Sequence, residues 1–246
     1  MILTIGPGGS GLSFLNWSII YLRGDDLYTL LDNKSVTVTH NPLLQDCTAH
    51  GQQKDHLQLS KELIKLHQAT DQSVVFVVPS HQDDLEYTLN FTCRKIIFNS
   101  QADSEEFLAR MYYTVPDLFL HELIDNLSIK YDRQIIKQVL IDCNKFFTKY
   151  YTVPTDYSNY FRINYNDIFQ NLDKKIYDIF DYLELSVSQD RITNWLSVYH
   201  QYRLMNQNFL SRFLDDPVKV DSNDKIKIFK EIVQWKTGLY QHIKNN

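Results

Sequence analysis

Apolar positions along the chain alternate between strand-like and helix-like spacing, in an order that predicts a parallel sheet wrapped by helices. Met1 to Ile5 is a short apolar run that stops at a glycine, the pattern of a buried strand. Gly6 to Gly11 holds four of the chain's seven glycines together with Pro7, so neither helix nor strand can continue through it. Apolar residues resume from Leu12 to Leu22 as a helix. A weaker strand pattern lies at Ser35 to Thr39, and Leu59, Leu63 and Leu66 give helical spacing to the stretch from Leu57 to Ala69. Ser73 to Val78 is the clearest strand, apolar on both faces as a central parallel strand must be. Pro79-Ser80 ends it. Asp83 to Asn90 predicts a short helix, Lys95 to Phe98 another strand, and Ser104 to Tyr113 a helix.

Beyond Thr114 the pattern is mostly helical. Ile135, Val139, Cys143 and Phe146 form one stripe, and Leu172, Ile176, Ile179, Phe180 and Leu183 another at 3.6-residue spacing. Phe161 to Tyr165 predicts a short strand returning to the sheet. Arg191 to Phe213 and Lys225 to Ile243 read as two long helices parted by Asp215-Asp216-Pro217. Strands alternating with helices in this order give an α/β class with a helix-rich C-terminal half.

Composition narrows the choice of function. The 246 residues carry a formal net charge of −5, which argues against a general nucleic-acid surface and leaves room for a local pocket that takes one anionic ligand. Cys47, Cys93 and Cys143 are odd in number and form no CxxC pair, so free thiols in a reducing, cytoplasmic setting are expected. Residues 1–22 carry no charged side chain, but Gly6-Pro7-Gly8-Gly9 interrupts the run where a membrane-spanning helix would have to continue. No membrane span is therefore expected. No metal set is expected either: His121-Glu122 lacks a second histidine one turn on, and His50, His56 and His67 are too loosely spaced.

The chemistry concentrates in the first loop. Strand, glycine loop and helix present backbone N–H groups to an anion at a helix N-terminus, where the macrodipole adds roughly half a positive charge. Gly6, Gly11 and Ser13 keep the spacing of a Walker A loop, but Leu12 stands where that motif has its lysine. Lysine neutralises the outer phosphates of a nucleoside triphosphate and leucine cannot, which counts against ATP-dependent phosphotransfer. The competing reading is a glycine-rich turn that binds nothing. His81 follows the central strand at the sheet edge where α/β proteins bind ligands. It reads either as a general base or, with Ser80 and Asp83 forming a capping box, as an exposed first residue of a helix.

Ser10-Gly11-Leu12-Ser13-Phe14, His81, the strand Lys95-Ile96-Ile97-Phe98 and the segment Ile163-Asn164-Tyr165-Asn166-Asp167-Ile168 occur in the order found in sulfotransferases, and the chain resembles a divergent member of that family. The resemblance implies a three-layer P-loop fold, a single domain over residues 1–246, and 3′-phosphoadenosine 5′-phosphosulfate as donor. It implies that Gly8, Gly9, Ser10, Gly11, Leu12 and Ser13 hold the 5′-phosphosulfate. It places Asn99 and Asp103 at the 3′-phosphate and makes His81 the base that takes the proton of a small-molecule or carbohydrate acceptor. The chain departs from the family's pattern at Gly9, where the family keeps Lys or Arg, at Asn99 in place of an arginine, and at Phe107 in place of a serine. Arg110 reads as a solvated helix residue, while Tyr165 and Asp167 read as packing and capping residues. Two functions follow from the resemblance: sulfuryl transfer to a hydroxyl or amine, or nucleotide or partner binding without turnover.

Overall fold

Ile2–Ile5 forms strand β1, and all four of its side chains are buried. Only a strand covered on both faces and paired on both edges can be this uniformly apolar, and β1 occupies such a place. The computed structural model of the chain describes residues 2–6, 9–24, 74–77, 86, 88–98, 105–114, 119–143 and 159–244. Val74–Val77 (β2) and Arg94–Phe98 (β3) flank β1, and Tyr160–Ile163 (β4) lies outside β3, giving the order β2-β1-β3-β4. Every pairing is parallel: Ile5 sits opposite both Val77 and Ile97, and Phe98 opposite Ile163. The molecule is thus α/β, with a small parallel sheet and mostly helical content.

The chain falls into two compact units, residues 1–101 with 149–206 and residues 102–148 with 207–246. The first contains the sheet. Helix α1, Leu12–Arg23, is buried on nearly every side, from Leu12 and Phe14 through Trp17 and Ile20 to Leu22. A helix apolar all round must be enclosed. Its one strongly polar interior residue, Asn16, accepts a hydrogen bond from the Thr4 hydroxyl of β1 at 2.5 Å, and both residues are fully buried.

Two short helices belong to this unit as well: α5, Tyr165–Gln170, and α6, Leu172–Leu183. The long helix α7, Gln189–Gln207, turns the stripe Trp195, Tyr199, Tyr202 and Asn206 inward. Its contacts run antiparallel along α1. The Ser188 amide donates to the Leu22 carbonyl at 2.7 Å and Arg191 to that of Tyr21 at 3.2 Å. The Trp195 indole donates to the Ser18 hydroxyl at 2.9 Å, and that hydroxyl donates to the Phe14 carbonyl at 2.9 Å. At the far end Tyr202 stacks on Phe14 with ring centres 3.9 Å apart.

The second unit is all-helical, made of α2 (Glu105–Thr114), α3 (Phe119–Leu127), α4 (Arg133–Asp142), α8 (Phe209–Leu214) and α9 (Ser222–Lys244). Leu123, Ile124, Ile136, Leu140, Phe213 and Ile228 fill its centre. Asp132 caps α4 by accepting from the amides of Gln134 and Ile135, which explains why that helix starts where it does. Lys137 is buried, with its ammonium 5.2 Å from the Tyr112 ring and 5.0 Å from that of Phe213. Across the described residues no helix is long and apolar enough to cross a membrane.

Three expectations need correction. The helix expected over Arg191 to Phe213 breaks at Asn208. There the Asn206 side chain donates to the Tyr202 carbonyl at 2.6 Å and competes with the backbone ladder. The strand expected over Phe161 to Tyr165 ends at Ile163, because Asn164 and Asp167 form a capping box that starts α5. Tyr165 is accordingly a packing residue and Asp167 a cap, as the sequence suggested, the latter accepting from the Asn164 amide at 2.9 Å. Arg110 is buried rather than solvated, its guanidinium 5.8 Å from the Phe209 ring centre. An aromatic face accepts a cation where water is excluded. The strand at Ser35 to Thr39 and the helix at Leu57 to Ala69 lie outside the described residues.

Tyr199 ties α6 to α7: its hydroxyl accepts from the Leu172 amide at 3.0 Å, and burial pushes its phenol up to about 12 from the usual 10.0. The folded protein therefore keeps this proton at a pH where the unfolded chain loses it. Stability contributed by the neutral phenol is complete below pH 10.0 and drains away as pH climbs toward about 12. Denaturation curves across that window should show a steeper loss for the wild type than for Tyr199→Phe, which at neutral pH is weaker by about 1 kcal/mol for the lost hydrogen bond.

Candidate functional site

All four strands are parallel, so their C-terminal ends open onto one edge of the sheet. The chain leaves β1 toward β2 on one side, then crosses to β3 on the other side of β1 and proceeds to β4. Connections diverge between β1 and β3. In open α/β sheets that divergence leaves a crevice at the carboxyl edge, the usual place for a ligand. The glycine loop follows β1, residues leading to His81 follow β2, and Asn99 follows β3 directly.

Packing forces the loop to be glycine-rich. A Cβ added at Gly6 would lie 3.0 Å from three atoms of Phe98 on the neighbouring strand. Gly9 has φ 79° and Gly11 φ 87°, in the left-handed region that glycine enters without penalty. Gly11 is the N-cap of α1, and its carbonyl accepts from the Leu15 amide at 3.0 Å to begin the helix. Glycine can offer no capping side chain, and no acidic residue stands in the first turn. The first amides of α1 thus keep the outward polarity that helix geometry gives them. Side chains do cap α4, at Asp132, and α5, at Asn164 with Asp167, whereas α6 and α8 start without a side-chain cap as α1 does.

The side chains around the loop are sorted by burial. Ser10 and Leu12 are buried, whereas Gly9 and Ser13 are half-buried. Leu12 points its bulk into the core, so the position of the Walker lysine is spent on packing. Cations of the strands are engaged elsewhere. Arg94 pairs with Glu184 at 2.5 Å and donates to the Tyr182 carbonyl at 2.6 Å. The Lys95 ammonium is held by the carbonyls of Phe91 and Cys93, near the amino end of β3, the opposite edge from the loop. Arg162 is exposed and donates to the Tyr160 hydroxyl at 2.7 Å.

The described residues bring together Gly9, Ser10, Gly11, Leu12 and Ser13 of the expected set. Gly8, His81, Asn99 and Asp103 lie outside the described residues. Phe107, at the place of the family's serine, is buried in α2, an apolar position rather than a phosphate contact. Burial pushes the thiols of Cys93 and Cys143 up from their usual value, which disfavours the reactive thiolate. His121 is satisfied by the Tyr112 carbonyl at 2.6 Å and stacks on that ring at 4.1 Å. Among the described residues no cluster of His, Cys, Asp or Glu could hold a metal ion. Reading the sequence alone missed the residues that pack behind the loop, Ile168, Phe169 and Tyr202. The spacing of Trp195, Tyr199 and Tyr202 along α7 was the signal that could have found one of them.

Two glycines with similar backbone angles separate strain from contact. A Cβ at Gly11 would lie 2.9 Å from Phe169 and 3.0 Å from Ile168, while one at Gly24, φ 93°, would meet nothing within 4 Å. Gly24→Ala should cost about 1–2 kcal/mol for its left-handed backbone alone. Gly11→Ala adds a clash with a packed wall, for about 2–4 kcal/mol in all. Urea denaturation of the two variants checks the difference.

Comparison with protein-family models, with curated proteins and with solved structures finds no match to this chain.

Proposed function

We propose that the protein is a sulfotransferase-like P-loop protein, with three layers, that holds the phosphosulfate end of 3′-phosphoadenosine 5′-phosphosulfate in the loop from Gly8 to Ser13. One observation carries this reading: a glycine loop with two left-handed residues opens a helix at the divergence of strands β1 and β3. Backbone amides at a helix N-terminus suit a small tetrahedral group with its charge spread over several oxygens. Leu12, buried in the core, counts against ATP as the ligand, since nothing from that position reaches a triphosphate. Asn99 and Asp103 come after β3 in sequence and, on the resemblance, would meet the 3′-phosphate. His81 follows β2 and would take the proton of a hydroxyl or amine on a small molecule or carbohydrate as it attacks sulfur. Sulfur–oxygen cleavage would then leave 3′,5′-adenosine bisphosphate.

One observation favours the second reading, binding without efficient turnover. Gly9, at the place of the family's basic residue, has φ 79°, so the site gives glycine's backbone where a fixed cation would stabilise the departing bridging oxygen. Loss of one such stabilising group costs about 3 kcal/mol, or roughly a hundredfold in rate.

Thermal denaturation distinguishes the ligands. A ligand at a hundred times its Kd adds about 2.7 kcal/mol, so 3′,5′-adenosine bisphosphate should raise Tm by several degrees while ATP with Mg²⁺ leaves it unchanged. The opposite result rejects the assignment. If radiolabelled sulfate passes from donor to a phenol or sugar acceptor, His81→Ala should abolish transfer and keep the bisphosphate shift. Transfer that survives in His81→Ala removes the histidine from its role.

A further inference from the structure

The glycine loop is shaped from behind. Gly11 has no room for a Cβ because Phe169 and Ile168 of α5 stand 2.9 and 3.0 Å from where it would be, with the Tyr202 hydroxyl at 3.5 Å. Tyr202 is 1% exposed and touches two rings. It stacks on Phe14, one turn into α1, at 3.9 Å and 6° between planes. It also meets Phe169 at 5.6 Å, which in turn meets Tyr165 at 4.4 Å. Gly11 and Phe14 are therefore pressed against one wall made by α5 and α7, helices distant in sequence from the loop. The direction of the first amides of α1 depends on where Gly11 turns, and that turn rests on this wall.

We infer that Tyr202 is a positioning residue of the anion cradle: its ring, stacked on Phe14 and in contact with Phe169, backs Gly11 in its left-handed turn and so aims the amides that bind the anion. The inference rests on the anion-binding reading above. It assigns Tyr202 no contact with the ligand. The ring sets where the hydroxyl sits beside Gly11, so phenylalanine, which keeps the ring and loses only that outermost atom, should be tolerated and leucine should not. A preorganised cradle binds tightly because its geometry is set before the ligand arrives, and a slack one gives up affinity.

The test measures affinity for 3′,5′-adenosine bisphosphate and for inorganic sulfate by calorimetry, in the wild type, Tyr202→Phe, Tyr202→Leu and Phe180→Leu. Phe180 is a buried core residue of α6 and is not among the side chains nearest Gly11. Tyr202→Phe should bind within about twofold of the wild type and Tyr202→Leu about tenfold more weakly, with Phe180→Leu unchanged in affinity though less stable. Amide spectra give a second readout. With seven glycines the resonances are separable, and Gly9 and Gly11 should shift in Tyr202→Leu while Gly24 stays in place. If Tyr202→Leu fails to fold, Phe169→Leu takes its place with the same expectations. Wild-type affinity in a folded Tyr202→Leu, or an equal loss in Phe180→Leu, overturns the inference and leaves the anion site standing. No binding of either ligand by the wild type overturns the anion reading and this inference with it.

Discussion

Helix α1 is tied to α7 at points spread from one end to the other, and the start of α1 beside the first strand is anchored by those ties. The contact is mixed in character along its course: backbone carbonyls near Leu22, a hydroxyl relay at Ser18, and ring stacking at Phe14. Each kind sets a different degree of freedom. Hydrogen bonds to Tyr21 and Leu22 fix the axial position of α7, while the Trp195 indole fixes its rotation. Stacked rings hold the spacing at the end nearest the glycines. Burying aromatic groups of this size contributes about 1.5–3 kcal/mol each, enough to keep a capless helix in register.

Between β1 and α1 the first unit uses neutral polar groups, while its buried Lys95 is held by backbone carbonyls. Thr4 and Asn16 meet between β1 and α1, and among the described residues the Asn16 amide nitrogen has no hydrogen-bond partner. An orphaned buried donor costs about 1–3 kcal/mol. The bond from the Thr4 hydroxyl offsets it in this one alignment of β1 and α1, since sliding either element would strand that hydroxyl as well. The second unit follows another course. Arg110, Lys137 and Arg212 each lie over aromatic faces, and Arg133 reaches the Tyr112 hydroxyl at 3.0 Å.

Much of this architecture was legible in the residues themselves. β1, β2 and β3 were visible as short apolar runs bounded by turn residues, and α1 because its apolar run resumes directly after the glycines. The loop's left-handed turns were legible in its glycines. Sequence pattern did not reveal the break at Asn208, since it depends on one asparagine side chain turning back on its own helix. Burial of Arg110 was equally hidden, because a guanidinium reads as surface until a ring from a distant helix is placed beside it. The wall behind Gly11 belongs to the same class: Phe169 and Tyr202 lie far from the loop in sequence, and only packing joins them.

Lys137 carries a consequence for behaviour in acid. An ammonium matched to a carboxylate loses its partner when the carboxylate takes up a proton, and the core then holds an uncompensated charge. The Tyr112 and Phe213 faces have no such proton to gain. The heart of this helical unit is therefore built to outlast its rim ion pairs, Lys130 with Glu231 and Lys225 with Asp142, as solutions turn sour.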